Sequence, residues 1–153
     1  MITIEWLEEI ERVDELVDIF IKNVGTEYIT HIEIQEGRAV SLNEWSKDLG
    51  IIIKQELEEC YYQSKQKIPV IKVDGVIKGY ALLKIESPIL TVEDIVVSEM
   101  GLGSKLMEFI ETIAYKGGIR TIVGDVGVDN KRAQEFMSKL GYTQQTIVYC
   151  KKL

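Results

Sequence analysis

Residues 90–116 read LTVEDIVVSEMGLGSKLMEFIETIAYK. Thr91, Val92, Ile95, Val96 and Val97 are β-branched and predict a strand. Leu106, Ile110, Ile113 and Ala114 recur at helical spacing and predict a helix, which Gly117 and Gly118 stop. Gly101 and Gly103 lie in the turn between the two. A glycine turn at this place lets the backbone come close to a ligand. It also points the first free N–H groups of the helix outward, which suits a phosphate. Glycines at strand–helix turns also serve as plain turn residues, and Gly-x-Gly is neither a Rossmann nor a Walker pattern.

On the N-terminal side, residues 2–6 predict a first strand. Ile10, Val13, Leu16, Val17, Phe20 and Ile21 mark one face of an amphipathic helix that ends near Gly25. Residues 26–40 read as a loop with a short strand around 32–34. Ser41 and Glu44 have capping-box spacing, which predicts a helix from there towards Ser64. Its apolar side would be Trp45, Leu49, Ile52, Ile53, Leu57 and Tyr61, with Gly50 as a point of interruption. Residues 68–73 and 76–85 flank Asp74-Gly75, a strong hairpin signal, and Ser87-Pro88 separates them from the central strand. On the C-terminal side, residues 121–126 predict a strand. Asp129 or Asn130 then caps a helix bearing Ala133, Phe136, Met137 and Leu140, which Gly141 closes. Residues 145–152 alternate loosely and predict a last strand. The order β-α-α-β-β-β-α-β-α-β implies an α+β sandwich, a single domain over residues 1–153 built on a mixed sheet.

Composition narrows the function classes. The 153 residues are 46% apolar and 28% charged, with a net charge of −7 and no basic block. Nucleic acid and anionic membranes are poor partners for such a surface, whereas a cationic small molecule or a basic peptide end is easier to accommodate. No apolar run approaches the ~20 residues of a membrane span. The opening MITIEWLEEIERVDEL is acidic and lacks the features of a signal peptide, so a cytoplasmic location is expected. His31 is the single histidine, and Cys60 and Cys150 are too few and too far apart for a zinc site or disulfide framework. No metal is expected. His31 reads as a surface residue and Cys150 as a small core or edge residue.

Two stretches together resemble the GNAT family of acyl-CoA-dependent N-acetyltransferases. VEDIVVSEMGLGSKLMEFIE is similar to that family's central strand, pyrophosphate loop and following helix. DNKRAQEFMSKLGY is similar to its later motif, here Asn130, Ala133, Phe136, Leu140, Gly141 and Tyr142. The motifs fall within residues 68–153, and the first 65 residues match only in their order of elements. The resemblance implies a mostly antiparallel mixed sheet with helices on both faces and a splayed pair formed by the central strand and the strand after it.

It also implies acetyl-CoA (coenzyme A) as cosubstrate. Its pyrophosphate would meet the N–H groups of Met100, Gly101, Leu102, Gly103 and Ser104. Its pantetheine arm would lie along Ile95, Val96 and Val97 like an added strand, and Asn130 would contact it as well as capping its helix. A backbone N–H near Val96 or Val97 would stabilise the charge that develops on the thioester oxygen. Glu93 and Asp94 occupy the place of the family's strand carboxylate, with Glu86 more distant. Side chains alternate on a strand, so only one of the pair faces a cleft unless a bulge intervenes. Glu93 is the favoured base, and solvated strand-end charges are the alternative for both.

Two departures stand out. Ser98 occupies the place, three residues ahead of Gly101, where the family usually has Arg or Gln. The connection before Gly101 is also shorter than usual. Lys105, Lys131 or Arg132 would have to compensate as phosphate partners. The position of the family's general-acid tyrosine holds Met137, which has no proton to donate. Tyr142 and Tyr149 are the remaining phenols near the motif.

The expected activity is transfer of an acetyl group to a primary amine of a small molecule or peptide. Glu27, Glu33, Glu36 and Glu44 would favour a cationic acceptor such as a polyamine, an aminoglycoside or a peptide N-terminus. Such a fold is compatible with a homodimer. The competing expectation is a catalytically weak acyl-CoA-binding module that acts through a partner protein. A plain interaction domain without cofactor is a third, and it requires strands 90–97 and 121–126 to pair along their whole length.

Overall fold

A computed structural model describes residues 1–63 and 66–153. In chain order the elements are β1 (Ile2–Trp6), α1 (Val13–Asn23), α2 (His31–Gln35), β2 (Ala39–Ser41), β3 (Glu44–Trp45), α3 (Leu49–Tyr62), β4 (Gln66–Lys67), β5 (Pro69–Val73), β6 (Val76–Glu86), β7 (Ile89–Val97), α4 (Leu102–Lys116), β8 (Thr121–Val123) and α5 (Lys131–Lys139). The contacts group them into two compact units, one of Met1–Val24 with Asp48–Asp125 and one of Gly25–Lys47 with Val126–Leu153.

The larger unit is a mixed, mostly antiparallel sheet in the order β1-β5-β6-β7-β8, with β4 also on β6. Asp74 and Gly75 both take positive φ, 49° and 83°, the conformation a two-residue hairpin turn requires, and β5 and β6 form as the sequence predicts. Residues 79–83 of β6 are buried at consecutive positions, so helices cover both faces of the sheet. Val13, Leu16 and Phe20 of α1 and Leu49, Ile53, Leu57 and Cys60 of α3 supply one part of this core. Leu102, Leu106, Met107, Ile110 and Ala114 of α4 supply another. Tyr61 Oη donates to the Glu8 carbonyl at 2.6 Å, tying the end of α3 to the loop after β1.

The smaller unit corrects three expectations. Residues 31–35 are a helix rather than a strand, because Thr30 and Glu33 form a reciprocal capping box at its N-terminus. No helix starts at Ser41. Its hydroxyl accepts from the Asn43 N–H at 3.2 Å, which turns the chain into the β2–β3 hairpin. The helix begins at Leu49, with Gly50 inside its first turn rather than interrupting it, and its expected end at Ser64 lies outside the described residues. The predicted strand at 145–152 does not form; residues 143–153 have no regular structure, and Ile147, Val148 and Tyr149 are exposed. β-branched residues favour a strand but do not make one without a ladder partner. Cys150 in this tail is likewise exposed.

Gly79 on β6 is held by its neighbours. A Cβ there would lie 2.7 Å from the Val96 carbonyl oxygen and 2.7 Å from Val97 Cγ1. Overpacking of this kind costs ~1–3 kcal/mol. Gly79→Ala should lower the urea midpoint by about that free energy, whereas Gly75→Asn, at a turn that tolerates Asn, should cost far less. Equal losses would show that β6 and β7 do not meet this closely.

Candidate functional site

The pairing of β7 with β6 shifts register at one residue. Leu82 pairs with Asp94 and Leu83 with Val92, so Glu93 is an extra residue, a β-bulge. Leu90, Val92, Asp94 and Val96 are buried, and the residues between them are not. Glu93 is exposed and Asp94 is 2% exposed, so the two adjacent carboxylates occupy opposite environments.

The other edge of β7 carries a second break. β8 runs parallel to it only at Ile89↔Thr121, Leu90↔Ile122 and Thr91↔Val123. From Val92 to Val97, β7 continues with β6 alone. The expected strand 121–126 is thus three residues long, and full-length pairing, which an interaction domain without cofactor required, is absent. The Ser98 N–H donates to the Lys78 carbonyl at 2.8 Å. Backbone groups in an antiparallel ladder alternate in direction, so those of Val96 and Asp94 face β6 as well. Those of Ile95 and Val97 face the side from which β8 has parted. The three expected backbone positions are therefore divided, with Val96 turned towards the sheet.

The turn into α4 lies at the end of this edge. Gly101 is the N-cap of the 15-residue helix at φ 90°, and no side chain caps it. Nothing lies within 4 Å of where its Cβ would be, so the left-handed backbone, not crowding, requires glycine. Leu102 and Gly103 are buried, while Met100, Gly101 and Ser104 are exposed. The N–H groups of the first helical turn have no intrahelical acceptor, and the helix dipole adds positive potential there. Such an end can hold an anion, and an open strand edge beside it can take up an extended chain of amides.

The loop before Gly101 is tied to β6 through Lys78. Ser98 donates to the Lys78 carbonyl with its hydroxyl too, at 2.9 Å, and Lys78 Nζ lies 3.5 Å from a Glu99 carboxylate oxygen. Sequence spacing offered no hint of Lys78, since its place beside the loop depends on the pairing register. Among the expected phosphate partners, Lys105 and Arg132 are exposed, and Lys131 Nζ donates to the Val128 carbonyl at 3.1 Å. In the other unit, Asn130 caps α5 as predicted, accepting from the Ala133 N–H at 3.1 Å. There Met137 is half-buried, Tyr149 is exposed, and Glu33 is buried in its capping box, where it serves the fold. Glu27 and Glu44 are exposed.

The family model described as acetyltransferase (GNAT) family matches residues 38–142. The chain belongs to the GNAT family. No curated sequence matches it. Its fold is shared by a transcriptional regulator from Bacillus halodurans C-125, at a TM-score of 0.71 and 15% identity over 100% of both chains. An aminoglycoside N-acetyltransferase in complex with CoA matches at 0.68 and 16% identity, covering 100% of this chain and 96% of that one. Glucosamine-6-phosphate N-acetyltransferase from Arabidopsis thaliana matches at 0.64 and 20%, covering 99% and 98%. At these identities the likeness is one of fold. Among the described residues no His, Cys, Asp and Glu group could hold a metal, and no helix is long and apolar enough to cross a membrane.

Cys60 is a buried free thiol that feels the charge of Glu93 on this GNAT strand. Burial first, and then the charge of Glu93, pushes its thiol up to about 12. It stays protonated at neutral pH and is a poor acyl carrier. An unfolded chain loses this proton near its ordinary value of 9.0 while the folded chain keeps it, so stability falls as pH rises from 9 towards 12. The urea midpoint of the wild type should therefore drop between pH 8.5 and 10.5, and that of Cys60→Ala, lower at the outset, should drop less. Parallel curves would contradict the assignment.

Proposed function

We propose that this protein is an N-acetyltransferase that moves the acetyl group of acetyl-CoA to a primary amine of a small molecule or peptide by direct attack. The observation that carries this reading is the end of β7–β8 pairing after Thr91, on the strand that leads into the uncapped N-terminus of α4. The residues present suit coenzyme A. The N–H groups of Met100, Gly101, Leu102, Gly103 and Ser104 would hold its diphosphate, with Gly101 leaving open space at the turn. Ile95 and Val97 would pair with its amide arm by strand addition. Acetyl-CoA supplies an activated thioester.

The amine nitrogen forms a bond to the thioester carbonyl carbon, the carbon–sulfur bond breaks, and one proton leaves the amine. Val97 N–H is the backbone donor proposed for the developing oxyanion. Glu93, exposed at the bulge and still in water, is the proposed base, acting directly or through a water. Asp94 is buried, and its proposed contribution is to hold the bulge that presents Glu93. Met137 donates no proton, so the thiolate would leave into solvent. Direct transfer accords with the inert thiol of Cys60. The acidic balance of the chain, −7, favours a cationic acceptor.

Met137 also favours a second reading, an acyl-CoA-binding module with little turnover that acts through a partner protein. Calorimetry with acetyl-CoA and thiol release with a panel of amines separate the two. The acetyltransferase reading expects binding and turnover in the wild type. Gly101→Val, which forces a β-branched residue to positive φ, should lose most of the binding while still melting cooperatively. Glu93→Gln should keep binding and lose about 10²-fold or more in kcat, with the acid limb of the pH profile removed. Binding without turnover on any amine supports the module, and no binding at millimolar cofactor rejects both.

A further inference from the structure

We infer that Lys78, at the start of β6, supplies the positive charge for the diphosphate of coenzyme A that the loop before α4 lacks; this rests on the acetyl-CoA reading. Between β7 and the first residue of α4 the chain reads Ser98, Glu99, Met100, Gly101, with no cation and one carboxylate. A helix end offers only about half an elementary charge. The diphosphate would approach that end beside Glu99, in a protein whose net charge is −7. Backbone N–H groups alone would leave this repulsion uncompensated.

Lys78 answers it from the neighbouring strand. Two hydrogen bonds hold its carbonyl to the first residue of the loop, from Ser98 N–H at 2.8 Å and Ser98 Oγ at 2.9 Å. Gly79, the next residue, packs closely on Val96 and Val97, with no room for a Cβ between the strands. The side chain then leans towards the loop, its Nζ 3.5 Å from Glu99. The two side chains are 35% and 50% exposed, so the pair is a weak one that a stronger anion can reorganise. An ammonium has three donors. It can keep one on Glu99 and offer another to a phosphate oxygen, cancelling the loop's own charge and binding the ligand at once. Glu99 in turn holds Lys78 at the loop when no ligand is bound.

The test uses calorimetry on the whole chain, with CoA and with pantetheine, which lacks the phosphates. Lys78→Gln should weaken CoA about tenfold, ~1.4 kcal/mol, and Lys78→Arg should recover most of it. Glu99→Gln should tighten CoA a few-fold. Neither substitution should alter pantetheine affinity, and the CoA affinity of Lys78→Gln should depend less on salt than that of the wild type. Thermal midpoints near the wild-type value show that each variant is folded. A Lys78→Gln variant that binds CoA within twofold of the wild type overturns the inference while leaving the acetyl-CoA reading intact. An equal loss for pantetheine also overturns it, as a loss of shape rather than of charge. A wild type that binds no CoA removes the acetyl-CoA reading and this inference together.

Discussion

A strand in the middle of a sheet has ladder partners on both sides, and β7 has them only along its first three residues. That asymmetry governs the rest of the molecule. β6 pairs with β7 along nearly its whole length, whereas β8 departs after Thr91. Buried backbone groups without partners are costly, so an open edge persists where solvent or a ligand can reach it. The bulge at Glu93 falls just past the last β8 rung, and bulges increase local twist. Twist and departure thus coincide in sequence. The burial of residues 79–83 on both faces keeps β7 fixed while its outer edge stays open.

The charges of the site follow from this geometry. β7 leads into the Gly101 turn, so its open edge and the free end of α4 are close in sequence. Neither feature alone selects a ligand, since helix ends and strand edges are common. Together they suit a molecule with an anionic group at one end and an amide chain behind it. Glu93 is exposed at the bulge and Asp94 beside it is buried, as alternation along the strand requires. In a chain of net charge −7, Lys78 stands beside the loop with its Nζ 3.5 Å from Glu99.

Much of this was legible in the residues because local chemistry decides it. Asp74-Gly75 reads as a turn, Gly117-Gly118 as a stop, and Asp129 or Asn130 as a cap, since each rests on φ or on a side chain bonding its own backbone. The Gly101 turn and the candidate strand were legible for the same reason. The capping-box spacing read in the sequence was Ser41–Glu44, although Thr30–Glu33 has the same spacing. Thr30–Glu33 became a real cap, while Ser41 spent its hydroxyl on Asn43. Strands depend on partners far away in sequence, which is why 145–152 failed despite its composition and why 121–126 shortened to three residues. Register also lay beyond reach. The bulge at Glu93, the division of Val96 from Ile95 and Val97, and the placement of Lys78 all follow from which residue pairs with which.

The central claim, that β7 keeps an open edge for an extended ligand, is tested most directly by amide hydrogen exchange at single residues with and without CoA. Ile95 and Val97 should exchange quickly in the free protein while Asp94 and Val96 are protected, and CoA should slow Ile95 and Val97 selectively. Protection of all four amides in the free protein, or no change at Ile95 and Val97 when CoA is bound, would contradict it.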